Sequence, residues 1–130
     1  VIRSGFVDFA KYLEAADLTC FPSEDEGMGT PLLESLAAKK PVIANLGEPS
    51  FRQYIKDGFN GFLRRLDPEK WAEAIIKTEQ FSNDQKDEFS TDIRNRYSTG
   101  KIDEKYHSLM QRLIDAHTHE KIDVRQELRD

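Results

Sequence analysis

The chain has 130 residues, 38% of them hydrophobic, which is apolar material enough for one modest globular domain. Its net charge is −5 with the acids spread along its length, so no basic patch points to nucleic acid as a partner. No apolar run approaches a membrane span, no signal-peptide pattern opens the chain, and the single Cys20 excludes an internal disulfide; a reducing, cytoplasmic setting is expected.

Val1-Ile2-Arg3-Ser4-Gly5-Phe6 reads as a short strand with a glycine near its end. Phe9, Tyr12, Leu13 and Ala16 recur at helical spacing, giving a first helix that ends near Asp17. Leu18-Thr19-Cys20-Phe21 is β-rich and stops at Pro22, a buried strand in which Cys20 would be inert. Thr30 is a good N-cap with Pro31 at the first helical position, predicting a helix from Thr30 to about Lys40. A strand over residues 41–44 follows, then a loop with Gly47 and Pro49. Phe51, Tyr54 and Ile55 form a short amphipathic turn or helix that closes at Gly58, and residues 61–63 a last short strand. This alternation argues for a parallel sheet with helical crossovers.

From Asp67 the hydrophobic period changes. Asp67 can cap a helix with Pro68 at its first position and Trp71, Ala74, Ile75 and Thr78 on one face. A more polar helix is expected over residues 84–97. A third carries Ile102, Tyr106, Leu109, Met110, Leu113 and Ile114 on one stripe, readable as core or as an interface. The tail after His117 is nearly all polar and should extend that helix or fray. The predicted class is α/β, a Rossmann-like parallel sheet with flanking helices over residues 1–66 and a helical C-terminal part over residues 67–130. His107, His117 and His119 read as surface residues, since a separation of two places helical side chains on different faces; no metal site is expected.

One stretch carries chemistry: Glu24-Asp25-Glu26-Gly27-Met28-Gly29-Thr30-Pro31-Leu32-Leu33-Glu34. Two carboxylates, Glu26 and Glu34, stand eight positions apart across a Gly-x-Gly turn and a helix start. The glycines permit tight turning and close approach by a ligand. Helical side chains lean toward the N-terminus, so Glu34 is expected to lean back toward the loop carrying Glu26. The loop follows the strand over residues 18–21, at the carboxyl end of the sheet where open α/β folds bind ligands. Free amides and the helix dipole there suit a phosphate, and Glu34 could accept hydrogen bonds from two adjacent hydroxyls such as a ribose offers. The plain alternative is an ordinary strand–helix turn with a solvated acid cluster. A glycoside hydrolase with paired acids ranks lower, because a helix start favours the charged form of Glu34 over a general acid.

With Pro22-Ser23 before it and Pro41-Val42-Ile43-Ala44 after it, this stretch resembles the C-terminal domain of the group 1 (family 4) retaining glycosyltransferases of GT-B architecture. Val1 to Phe6 with Gly5, Ala16-Asp17-Leu18, Asp57-Gly58-Phe59-Asn60-Gly61-Phe62-Leu63, Tyr97-Ser98 and Tyr106 continue the resemblance over about the first four fifths of the chain. The resemblance implies transfer of a sugar from a nucleotide-sugar donor (a UDP-, GDP- or ADP-sugar) with retention of configuration and no required metal or cofactor. It implies that Glu26 is the catalytic residue, near the reacting carbon of the sugar. Gly27, Met28, Gly29, Thr30, Leu33 and Glu34 would bind the donor, Glu34 through its ribose and the amides of Met28, Gly29 and Thr30 through sugar and diphosphate. Such a reaction asks the protein mainly for positioning and charge stabilisation.

Three departures stand out. Met28 replaces a common aromatic, Lys39-Lys40 replaces a small residue and glycine so that the helix lacks its αL glycine, and Gln53 falls where an acid is frequent. The family's diphosphate-binding Lys and Arg lie upstream of Val1. The chain, which opens in mid-strand, is therefore read as part of a longer enzyme lacking its N-terminal acceptor domain, and by itself as a weak donor binder without turnover. An unprotected sheet edge predicts self-association. A non-catalytic binding or assembly module is the alternative. In the full-length enzyme, any membrane association would be peripheral and set by the absent domain.

Overall fold

The computed structural model describes Gly5 and residues 7–116. The predicted strand over residues 1–6, apart from Gly5, and the tail with His117 and His119 lie outside the described residues. The chain divides into two compact units, one up to Arg94 and one from Asn95 onward.

In the first unit, α1 (Phe9–Ala15) leads to β1 (Thr19–Phe21), then α2 (Thr30–Ala37) and β2 (Val42–Asn45). A 3-10 helix, Pro49–Gln53, connects to β3 (Gly61–Arg64), followed by α3 (Pro68–Thr78) and α4 (Asn83–Tyr97), whose residues from Asn95 fall in the second unit. The strands form one parallel sheet in the order β1-β2-β3, with Thr19 opposite Val42 and Val42 opposite Gly61. The central strand is buried along its whole length, as expected where both faces of a parallel sheet are covered. Leu32 and Leu36, one turn apart on α2, which packs against β1 and β2, are fully buried, as is Phe51 from the 3-10 helix. Each such side chain contributes about 1.5–3 kcal/mol through burial.

The Asp-Gly-Phe-Asn-Gly turn before β3 is held from inside. Asn60, 1% exposed, accepts from the Lys56 N–H at 2.8 Å and donates through Nδ2 to the Tyr54 carbonyl at 2.8 Å. Gly61 is required by space: a Cβ there would stand 2.0 Å from the Val42 carbonyl oxygen. Asp67 caps α3 as predicted, accepting from the Glu69 and Lys70 N–H groups at 2.9 and 3.2 Å.

Several expectations are corrected. Thr30 is the first helical residue of α2 rather than its cap; Gly29 occupies the cap with φ 68° and makes no side-chain hydrogen bond. α2 ends at Ala37, short of Lys40, yet it does have a left-handed terminator: Lys39 itself, with φ 63°. The Lys39 N–H donates to Leu36 and the Lys40 N–H to Ser35, closing a Schellman motif. The Ala37 carbonyl, left open by the helix end, accepts from Ser90 Oγ and Arg94 Nη2, both at 2.7 Å. Cys20 is exposed, because β1 is an edge strand with β2 as its one described neighbour. Ile75 is 40% exposed, and the buried face of α3 is made by Ala74 and Thr78, which have the one-turn spacing that faces the sheet.

The second unit contains α5 (Thr99–Ala116), which has no buried residue. The predicted stripe therefore does not form a core: Tyr106, Met110 and Ile114 are exposed. Among the described residues no helix is long and apolar enough to cross a membrane.

Candidate functional site

Pro22 ends β1, and the chain crosses residues 22–29 before turning into α2. The turn into the helix depends on Gly29. Its positive φ is disfavoured for any residue with a Cβ, and its Cα faces the Phe51 ring, from which an added Cβ would be 3.3 Å away. The Gly29 carbonyl then accepts from the Leu32 N–H at 2.9 Å and the Leu33 N–H at 3.3 Å, starting the helix. Gly27 needs no such explanation, because a Cβ there meets nothing within 4 Å.

The loop is clamped from the neighbouring strand. Asn45, at the end of β2 and 5% exposed, donates through Nδ2 to the Ser23 carbonyl at 3.1 Å, while its Oδ1 accepts from the Gly47 N–H at 2.9 Å. Glu48, also buried, accepts from the Glu26 N–H through Oε2 at 3.2 Å and from the Ser50 N–H through Oε1 at 2.9 Å. The Ser50 N–H first, with the Glu26 N–H adding to it, holds the Glu48 carboxyl below its ordinary value, since a carboxylate that accepts N–H bonds is stabilised in its charged form. Phe21 leans on Phe51 with ring centroids 6.3 Å apart, so both ends of the loop rest on one aromatic.

This arrangement uses the backbone N–H of Glu26 and none of the four that follow it. Among the described residues, the N–H groups of Gly27, Met28, Gly29 and Thr30 donate to no protein acceptor. They lie at the start of α2, where unpaired donors and the helix dipole favour an anion. Glu26 is half-buried at one side, while Glu34 is exposed one turn into the helix, on the side away from Leu32 and Leu36. Met28 is 61% exposed and Leu33 half-buried. Gly27, Met28 and Thr30 are thus exposed and Glu26 half-buried around Gly29, which is itself buried, with Leu33 and Glu34 following on the helix.

Asn45, Glu48 and Phe51 were not among the site residues expected from the sequence. A weak signal existed for Glu48, which stands directly before Pro49 as a cap for the 3-10 helix. Nothing local announces that the same carboxylate reaches a residue 22 positions earlier.

Against known proteins, the family described as glycosyl transferases group 1 matches residues 1–96. The chain belongs to this family. Among curated proteins, it is similar to a Bacillus subtilis (strain 168) protein named as a glycosyltransferase, EpsD, with 37% identity over 45% of this chain and 15% of that protein. It is similar to a D-inositol 3-phosphate glycosyltransferase of Streptosporangium roseum, with 36% identity over 54% of this chain and 16% of that protein. An uncharacterized glycosyltransferase of Methanocaldococcus jannaschii, MJ1178, is 32% identical over 58% of this chain and 21% of its own length. The matched region is about a fifth or less of each of these relatives. No solved structure matches. As a member of this family the chain has the fold expected of it, a partial Rossmann-like α/β sheet with a helical C-terminal part.

Proposed function

We propose that this chain is the donor-binding part of a retaining glycosyltransferase and holds a nucleotide sugar over residues 26–34. The observation that carries the reading is the run of unengaged N–H groups from Gly27 to Thr30, set between two carboxylates at a helix start. The amides of Met28, Gly29 and Thr30 would bind the sugar and diphosphate, with the dipole of α2 favouring the charge. Glu34, exposed and acceptor-only when ionised, would take hydrogen bonds from two adjacent ribose hydroxyls. Glu26 would face the transferred sugar near its reacting carbon, where a fixed carboxylate stabilises positive charge developing as the diphosphate departs. Retention then follows if acceptor and leaving group share one face of the sugar. The acceptor would be supplied by a part of the enzyme outside this chain, and no metal or other cofactor is invoked.

The test is an NMR titration of the labelled chain with UDP, GDP and ADP, repeated on Glu34→Ala. Shifts centred on residues 27–34 with one nucleotide, lost in the variant, are expected. Shifts elsewhere, or the same binding by Glu34→Ala, would refute the assignment.

A further inference from the structure

We propose that Asn45, Glu48 and Phe51 are positioning residues for nucleotide-sugar binding: as one stapled segment they grip the loop over residues 22–29 at three evenly spaced points, and Glu48 sets the backbone of Glu26. The inference rests on the donor-binding reading above and adds to it the residues that give the loop its shape.

The loop does not shape itself. Among the described residues, residues 22–28 make no backbone–backbone hydrogen bond, and the hydrogen bonds of α2 begin only at the Gly29 carbonyl. What holds the loop comes from the end of β2 and the segment after it, and it comes in register. Asn45 donates to the Ser23 carbonyl, Glu48 accepts from the Glu26 N–H, and the Phe51 ring lies against Gly29. Each gripping residue stands 22 positions after the residue it holds, and the contacts recur at every third residue of both segments. The two segments therefore meet along their length, not at one chance contact.

The gripping segment is closed on itself. The Glu48 N–H donates to the Asn45 carbonyl at 3.1 Å and the Gly47 N–H to Asn45 Oδ1 at 2.9 Å. Arg52 Nη2 donates to the Leu46 carbonyl at 3.0 Å, tying the 3-10 helix back to the end of the strand. Asn45, Glu48 and Phe51 are all buried. A side chain fixed by its own packing and hydrogen bonds passes that order to the groups it touches, which is how a supporting residue preorganises a binding site. Glu48 divides its oxygens between two tasks: Oε1 caps the 3-10 helix at the Ser50 N–H, and Oε2 reaches Glu26. The four unengaged N–H groups follow Glu26 directly, so this one bond fixes where that run begins.

The division also separates positioning from stability. Glu48→Asp keeps the charge and the cap on Ser50, since aspartate is a strong capping residue, but its side chain is one methylene too short for Glu26. Wild type and variant are compared in urea and titrated with UDP, GDP and ADP as labelled chains. Glu48→Asp is expected to unfold near the wild-type midpoint, yet to bind about tenfold more weakly the nucleotide that the wild type takes. In the free variant, backbone amide relaxation should show residues 24–28 gaining nanosecond mobility while α3 does not. Asn45→Asp, which keeps Oδ1 for Gly47 and removes the donor to Ser23, should act in the same direction. Asp67→Ala, which removes the α3 cap and destabilises the chain away from the loop, should leave the affinity unchanged. Unchanged loop relaxation in Glu48→Asp, or an equal loss of affinity in Asp67→Ala, would overturn the proposal. The wild-type titration keeps the two readings apart. No response at residues 27–34 to any nucleotide refutes the donor assignment and this role with it; a wild-type response undiminished in Glu48→Asp refutes this role alone.

Discussion

Gly29 and Gly27 lie two residues apart in the same loop, and the structure predicts opposite outcomes when each becomes alanine. Gly29 has φ 68°, where a residue with a Cβ costs about 1–2 kcal/mol. The new methyl group would stand 3.3 Å from Cε1 and 3.6 Å from Cδ1 of Phe51. That ring is fully buried, so it has to give by a few tenths of an ångström against a packed core, at about 1 kcal/mol. Restricting the unfolded chain returns about 0.4–1 kcal/mol. Gly29→Ala should therefore lose roughly 2 kcal/mol, a fall of about 8 °C in Tm for a chain of this size. Gly27→Ala meets no atom within 4 Å and needs no positive φ, so it should be neutral or gain up to about 1 kcal/mol from the unfolded-state effect. Urea denaturation followed by circular dichroism measures both. Equal losses for the two variants, or a neutral Gly29→Ala, would show that the chain does not pass into α2 through a left-handed Gly29 backed by Phe51. In the nucleotide titration, Gly29→Ala should also weaken binding more than Gly27→Ala, because it displaces the amides offered to the diphosphate.

Lys39→Gly should stabilise the protein by about 1 kcal/mol, since it relieves a left-handed lysine, less a few tenths for the exposed ion pair with Asp87; a destabilised variant in urea would contradict the Schellman ending of α2. Gly61→Ala should cost more than about 4 kcal/mol, because its Cβ would fall 2.0 Å from a backbone oxygen, and loss of the cooperative thermal transition is the expected readout. Glu48 has a folded-state pKa below its unfolded value, so its contribution to stability is complete above about pH 4.3 and is lost as pH falls through the folded pKa. Glu48→Gln should flatten the decline of stability in that acid window and loosen the Glu26 N–H, seen as faster amide exchange there; an unchanged acid profile would argue against the carboxylate clamp.

Much of the architecture was legible in the sequence because its signals are local. Asp67-Pro68 specifies a helix start through bonds two and three residues away, and the apolar run at residues 41–44 reads as a strand, which the structure places over Val42–Asn45. The stretch from Glu26 to Glu34 announced its turn and helix through Gly, Thr-Pro and apolar spacing alone. Tertiary structure decided what those signals could not. Two glycines in one motif look alike, but only Gly29 lies against Phe51 and adopts the left-handed turn, which also moves the helix cap away from Thr30. Lys39 takes a conformation that composition argues against, because the Schellman bonds and the capping of Ala37 by Ser90 and Arg94 outweigh its local preference. Cys20 reads as buried from its neighbours, yet exposure depends on whether another element covers the edge strand. The clamp on the candidate site joins Glu26 to Glu48 and Ser23 to Asn45 across 22 residues in each case, a separation at which periodicity and capping rules carry no information. Local sequence thus determined where the loop and helix begin, and only the packing of β1 beside β2 decided which backbone donors are held and which are left unengaged.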